Sequence, residues 1–184
     1  PYVAKQTLRQ ALNQLERSGL TVDKLVYEPD MTSTDYVERQ TIGGREIGPS
    51  SKRQVDVGTG VTLHVTYHRD EQNTFAPRIV GMSLSKAKAT LWDHGFNIGK
   101  VIYDESVGDV IDRRKARVYK QSVAIGSSHR RGSKVDLYLS ADDNLVDSLR
   151  MLADKDADRA EAQRRKQQAL KQREVDSLAA LDNE

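Results

Sequence analysis

PYVAKQTLRQALNQLERSGLTVDKLVYE (residues 1–28) and PRIVGMSLSKAKATLWDHGFNIGKVIYD (residues 77–104) are one pattern written twice, offset by 76 residues. Pro1 answers Pro77, Thr7 answers Ser83, and Leu8, Ala11, Leu15 and Gly19 answer Leu84, Ala87, Leu91 and Gly95. The register continues through Leu20/Phe96, Val22/Ile98, Lys24/Lys100, Leu25/Val101, Val26/Ile102, Tyr27/Tyr103 and Glu28/Asp104. Self-similarity at a fixed offset is the mark of one folding unit used more than once. Such arrays serve as binding or spacer modules more often than as enzymes.

Each copy opens with a helix. Thr7 and Gln10 have capping-box spacing, in which hydroxyl and amide side chains satisfy orphan N–H groups reciprocally. Leu8, Ala11, Leu12 and Leu15 follow at helical spacing. Gly19 then ends the helix, because glycine takes the left-handed conformation without a Cβ penalty. Ser83, Leu84, Ala87, Leu91 and Gly95 repeat the plan, with Lys86 where the reciprocal Gln would stand. Strands are expected at Leu20–Tyr27 and Phe96–Tyr103, and at Val37–Gln40 and Val118–Gln121. The last strands alternate most clearly: Val61, Leu63, Val65 and Tyr67 in one copy, Val135, Leu137 and Leu139 in the other. Gly58-Thr59-Gly60 and Gly132-Ser133-Lys134 are the turns that introduce them.

The expected fold is therefore α+β: two tandem small domains, each one helix on a three-stranded sheet, followed by a long C-terminal helix. The boundaries read as 1–67 for the first unit, with an inserted loop at 42–54, and 68–74 for a polar linker. The second unit is 75–141, with an extra loop at 106–116, and the tail is 142–184. A short linker without glycine suggests an extended tandem with limited contact.

The stretch Pro77-Arg78-Ile79-Val80-Gly81-Met82-Ser83, the Ala87/Leu91/Gly95 helix, Gly99-Lys100-Val101, Gln121–Gly126 and Gly132–Leu137 resemble a PASTA domain. The first copy resembles it over Thr7–Tyr27 and Gly58–Thr66, giving two tandem copies over residues 1–141. This small repeat is associated with penicillin-binding proteins and bacterial serine/threonine kinases. The resemblance implies a non-catalytic, extracytoplasmic module at the bacterial cell envelope, recognising peptidoglycan fragments (muropeptides) or β-lactam-like groups. It also implies an inner-membrane anchor in a segment upstream of Pro1. A structural spacer or oligomerisation component of an envelope complex is the alternative.

Composition narrows the chemistry. With 29 Lys and Arg against 27 Asp and Glu the net charge is +2, and no dominant basic face points to nucleic acid. No cysteine is present, which excludes disulfides, thiolate metal sites and cysteine nucleophiles. No apolar run reaches the roughly 20 residues of a membrane-spanning helix. Ser83-Leu84-Ser85-Lys86 has the Ser-x-x-Lys form of penicillin-binding enzymes, but the Ser-Asp-Asn and Lys-Thr-Gly elements that chemistry requires are missing. His64 and His68 lie four apart on a strand, roughly 13 Å at about 3.3 Å per residue, too far to share an ion. Gly43-Gly44 and Gly58-x-Gly60 do not join a strand to a helix, so they read as turns rather than phosphate loops. No catalytic residue, metal site or cofactor is assigned.

For ligand contact the better-preserved copy offers Tyr103, Asp104, Arg117, Tyr119 and Arg130, polar and aromatic groups suited to the carboxylates and amines of stem peptides. The loop runs Arg113-Arg114-Lys115 and His129-Arg130-Arg131 read as solvated charge or as carboxylate-capturing guanidinium forks. Trp92, the sole tryptophan, reads as an inter-repeat contact or a stacking surface. In the tail, Leu145, Leu149 and Leu152 form a helical face expected to dock on the second unit or a neighbouring chain. Leu170, Leu178 and Leu181 have no evident intramolecular partner and suggest self-association or a partner helix. Beyond Ala160 the tail reads as polar helix or as disorder.

Overall fold

The computed structural model describes residues 1–181, with side chains through Ser177. Helix α1 spans Leu8–Arg17, and both arms of the Thr7/Gln10 capping box are formed. Helix α2 spans Leu84–Asp93 and is capped by Ser83 alone. The two end alike: Gly19 N–H donates to Glu16 O and Leu20 N–H to Leu15 O, as Gly95 does to Trp92 O and Phe96 to Leu91 O. Gly19 and Gly95 sit at φ 69° and 79°, where a side chain would be strained.

In the first unit β1 (Thr21–Asp30) runs parallel to β4 (Gly60–His68), and β2 (Tyr36–Ile42) pairs antiparallel on the other side of β4. In the second, β6 (Asn97–Tyr103) runs parallel to β9 (Lys134–Ser140), with β7 (Arg117–Gln121) antiparallel beyond it. Even the bridge from helix cap to second strand recurs, Thr7 with Tyr36 and Ser83 with Arg117. The sheets stay separate and each shields its own core: Leu8, Ala11, Leu15, Leu63 and Val65 in one, Ala87, Leu91, Phe96, Leu137 and Leu139 in the other. This is the α+β architecture expected, with three departures.

First, the inserted stretch after Ile42 is not all loop. Gly43 and Gly44, at φ 58° and 77°, turn the chain so that β3 (Arg45–Glu46) pairs back on β2 and the first sheet gains a fourth strand. Second, the linker is structured. Arg69–Glu71 forms a 3-10 turn, and β5 (Asn73–Phe75) pairs with β8 (Ser128–Arg130), so the second unit's ribbon begins inside the expected linker. Third, the extra loop holds helix α3 (Val110–Lys115), whose first N–H groups are capped by the Asp109 carboxylate.

Helix α4 runs from Asp143 to Leu181 without a break, so the stretch beyond Ala160 is helical as described. Its docking face differs from the expected Leu145/Leu149/Leu152 stripe. Val146 and Ala153 are buried, Leu149, Ala157, Ala160 and Arg164 are half-buried, while Leu145 and Leu152 are exposed. The reason is the surface beneath. A Cβ on Gly126 would overlap the Cβ of Ala160, and one on Gly81 would meet the Arg150 stem, so the helix approaches where the surface beneath it carries glycines. Arg78 pairs with Asp154 at 2.9 Å, and the Arg164 guanidinium lies 4.9 Å over the Phe75 ring. Beyond Arg164 the helix leaves the second unit, and Leu170 and Val175 are exposed. The side chains of Leu178 and Leu181 lie outside the described residues. No described helix is long and apolar enough to cross a membrane.

Candidate functional site: the groove between the two units

The two units meet at the free edges of β1 and β6. Asn97, the first residue of β6, is buried and uses its whole amide. Its Oδ1 accepts from Leu25 N–H at 2.8 Å, and its Nδ2 donates to Leu25 O at 2.9 Å and to Gly132 O at 2.8 Å. A side chain thus completes the edge of the neighbouring strand, satisfying backbone groups that burial would otherwise penalise. The expected limited contact is in fact a tight joint.

Arg131 is the second fixture. Its Nη1 donates to Asp35 Oδ1 at 2.8 Å, its Nε to Glu71 O at 2.8 Å, and its guanidinium lies 5.7 Å over the Tyr27 ring. Asp35 is presented by an uncommon backbone, φ 56°. Burial raises the Asp35 carboxyl above its ordinary range, more than the Arg131 charge lowers it. Burial likewise pushes the Tyr27 phenol well above its ordinary range, and among the described residues its hydroxyl has no hydrogen-bond partner. Gly95 is needed here twice, for a Cβ on it would come within 3.1 Å of the Tyr27 hydroxyl and 3.2 Å of Arg131.

On the helix side, Arg9 of α1 forms a two-point ion pair with Asp93 of α2, at 3.0 and 2.9 Å. Trp92, beside it, packs its half-buried ring against the first unit's core. Between α1 and α2 this leaves a groove of about 840 Å³. Leu12, Leu20, Leu84 and Ala89 supply its apolar walls, Lys88, Arg113 and Arg114 its cationic rim, and Glu16 an acidic group on the α1 side.

The five ligand residues expected from sequence do not converge. Tyr103, Asp104 and Arg117 lie together at one end of the second sheet but are engaged around α3. Arg113 stacks 5.5 Å over Tyr103, Asp104 accepts from Ser106, and the Arg117 guanidinium donates to the Lys115 and Ala116 carbonyls. Hydrogen bonds from Ser106 hold the Asp104 carboxyl below its usual range despite the opposing effect of desolvation, which is the largest single influence. Tyr119 faces away from α2 against Tyr138, ring centroids 6.3 Å apart. Arg130 is exposed on β8, near the opposite end of β9 and about 20 Å away at roughly 3.3 Å per residue.

Of the joint and rim residues, Asn97, Asp35, Arg9, Asp93 and Lys88 were not singled out from sequence, whereas Arg114 and Arg131 fall in the two loop runs read there as solvated charge or carboxylate-capturing forks. For Asn97 the available signal was a departure within the repeat: where the second unit has Asn97, the first has Thr21. His64 also proves to have a partner, its Nδ1 2.8 Å from Glu28 Oε1, which in turn accepts from Arg39 at 2.8 Å. That hydrogen bond from His64 lowers the Glu28 carboxyl. Among the described residues no group of three His, Cys, Asp or Glu could hold a metal ion.

Residues 74–141 match the PASTA domain. This is the second unit, joint residues Asn97 and Arg131 included. Similar solved structures include the entire extracellular region of the Ser/Thr kinase PrkC from Staphylococcus aureus, at 21% identity over 77% of this chain and 45% of that one, TM-score 0.29. A three-PASTA-domain of a Ser/Thr kinase from Staphylococcus aureus is 16% identical over 76% of this chain and 64% of that one, TM-score 0.29. Penicillin Binding Protein 2X from Streptococcus thermophilus is 15% identical over 74% of this chain and 16% of that one, TM-score 0.29. The chain thus spans less than two thirds of each of these structures. No curated protein matches the chain.

Proposed function

We propose that this chain is a non-catalytic, extracytoplasmic module of the bacterial cell envelope that recognises peptidoglycan fragments or β-lactam-like groups. In this reading the first unit is a divergent tandem copy of the PASTA domain that follows it. The match to the PASTA domain over residues 74–141 carries the reading, and the shared order of helix, strands and pairing in the first unit supports the tandem. The test is a titration of the full chain with muropeptides, following amide shifts. Binding with localised, saturating shifts is expected, and an unchanged spectrum at millimolar ligand would remove the reading.

A second reading, a spacer or oligomerisation component, is favoured by one observation. Past Arg164 helix α4 projects with Leu170 and Val175 exposed. Light scattering of the chain before and after truncation at Arg164 tests it. A drop in mass on truncation supports association through this segment, and equal monomeric masses contradict it.

A further inference from the structure

We propose that the groove between α1 and α2 is the binding site for a short acidic peptide, held by both units at once. The inference rests on the reading that the chain recognises peptidoglycan fragments, and it assigns the peptide part of such a fragment to the groove. Its volume of about 840 Å³ falls within the roughly 300–1,000 Å³ typical of ligand sites, which form preferentially where domains meet.

The lining decides the chemistry. Arg9 is already neutralised by Asp93, and Arg113 is stacked on Tyr103. Lys88 and Arg114 have no acidic partner among the described ion pairs, and both border the groove. An ammonium and a guanidinium at one rim are suited to a carboxylate, the guanidinium by two parallel hydrogen bonds. Glu16, exposed on the facing helix, complements an amine. The walls contributed by Leu12, Leu84 and Ala89 take an aliphatic side chain.

A sugar fits less well. Stacking on a pyranose needs a free aromatic face, and the one ring in the groove, Trp92, is packed against the first unit's core. Its indole N–H is buried, with no acceptor among the described residues, so it is not presented to a ligand's hydroxyls either. Charge of both signs beside aliphatic wall is the chemistry of a peptide with free carboxylate and amine.

The experiment uses the full chain and three probes: an intact muropeptide, its peptide freed of sugar, and its disaccharide alone. The muropeptide and the peptide should both shift amides on α1 around Leu12–Glu16 and on α2 around Leu84–Ala89, and the disaccharide should shift neither set. Lys88→Ala with Arg114→Gln should weaken the peptide at least tenfold. Arg114→Gln alone, at an exposed helix end, gives the same direction in a chain whose fold is undisturbed. Muropeptide shifts confined to the second unit away from the groove would overturn this inference and leave the proposed function standing. Groove shifts with the disaccharide alone would overturn the peptide assignment. Failure of all three probes to bind would overturn the function itself.

Discussion

Tyr27 and Tyr103 occupy the same position in the two units, and each lies under an arginine. Over Tyr27 the arginine is Arg131, contributed by the neighbouring unit at 5.7 Å. Over Tyr103 it is Arg113, contributed by the unit's own α3 at 5.5 Å. One aromatic position is closed by a joint in the first case and by an insertion in the second. The extra segment 106–116 is thus a local substitute for a neighbour, covering a face that the first unit covers by docking. The upstream-facing side differs in the opposite sense. Where the second unit has Asn97 and Arg131, the first has Thr21 and Val57, the latter 86% exposed. Two units of shared topology are therefore fitted to one another and not interchangeable.

The largest expected effect breaks the joint. Asn97→Ala leaves the buried N–H and carbonyl of Leu25 and the Gly132 carbonyl without their partner, a cost of about 3 kcal/mol for unsatisfied buried groups. Thr21→Ala, at the matching position, loses only a long exposed bond to Gly58 O and should cost less than about 0.5 kcal/mol. Thermal unfolding of the two variants makes the comparison directly, and equal losses would show that Asn97 is not a clamp.

Next in size is the seating of α4, which only the second unit carries. Gly126→Ala forces a Cβ into Ala160 at φ 75°, and strain plus overpacking should cost about 2–3 kcal/mol. Gly43→Ala, at φ 58° with open space around it, should incur the backbone strain alone, about 1 kcal/mol. Hydrogen exchange over Val146–Ala160 should accelerate in the first variant and not in the second.

Acid titration separates two carboxyls of the first unit, one at the joint and one away from it. The Asp35 carboxyl is raised in the fold, so the native state holds its proton longer than the unfolded chain does. Its contribution is therefore greatest below the ordinary value of 3.8 and is lost as pH rises through the raised value. Glu28 is lowered, so its contribution is present above the ordinary value of 4.5 and is lost as pH falls through the lowered one. Unfolding midpoints followed from pH 3 to 6 should lose the descending component in Asp35→Asn and the ascending component in Glu28→Gln. Reversal of either sign would show that the assigned environment is wrong.

The smallest effect concerns the substitute contact. Arg113→Ala removes an exposed cation–π pair and should lower stability by about 0.5–1 kcal/mol. It should leave the Tyr27 side of the molecule unaltered by NMR, whereas Arg131→Ala should perturb amides in both units.

What was legible in the sequence was local. The Thr7/Gln10 cap, the terminal glycines and the alternation of the last strands rest on contacts a few residues apart, and each is where the pattern placed it. The polar pairs of the joint were not legible because their partners are remote: Leu25 and Asn97 are 72 residues apart, Asp35 and Arg131 are 96 apart. The α4 face was misplaced for a related reason. Leucine spacing favours 145/149/152, but on the docking surface Gly126 admits Ala160 and Gly81 admits the Arg150 stem, and no pattern within the helix records that. The expected ligand residues Tyr103, Asp104 and Arg117 are engaged by the segment 106–116, contacts visible only once that segment is seen to fold.

A groove shared by both units requires that they behave as one body. Residual dipolar couplings of backbone amides in the full chain test this most directly. A single alignment tensor should fit α1, β1, β2 and β4 together with α2, β6, β7 and β9, and Asn97→Ala should split it in two. Two independent tensors in the unaltered chain would contradict the joint, and with it a groove shared by both units.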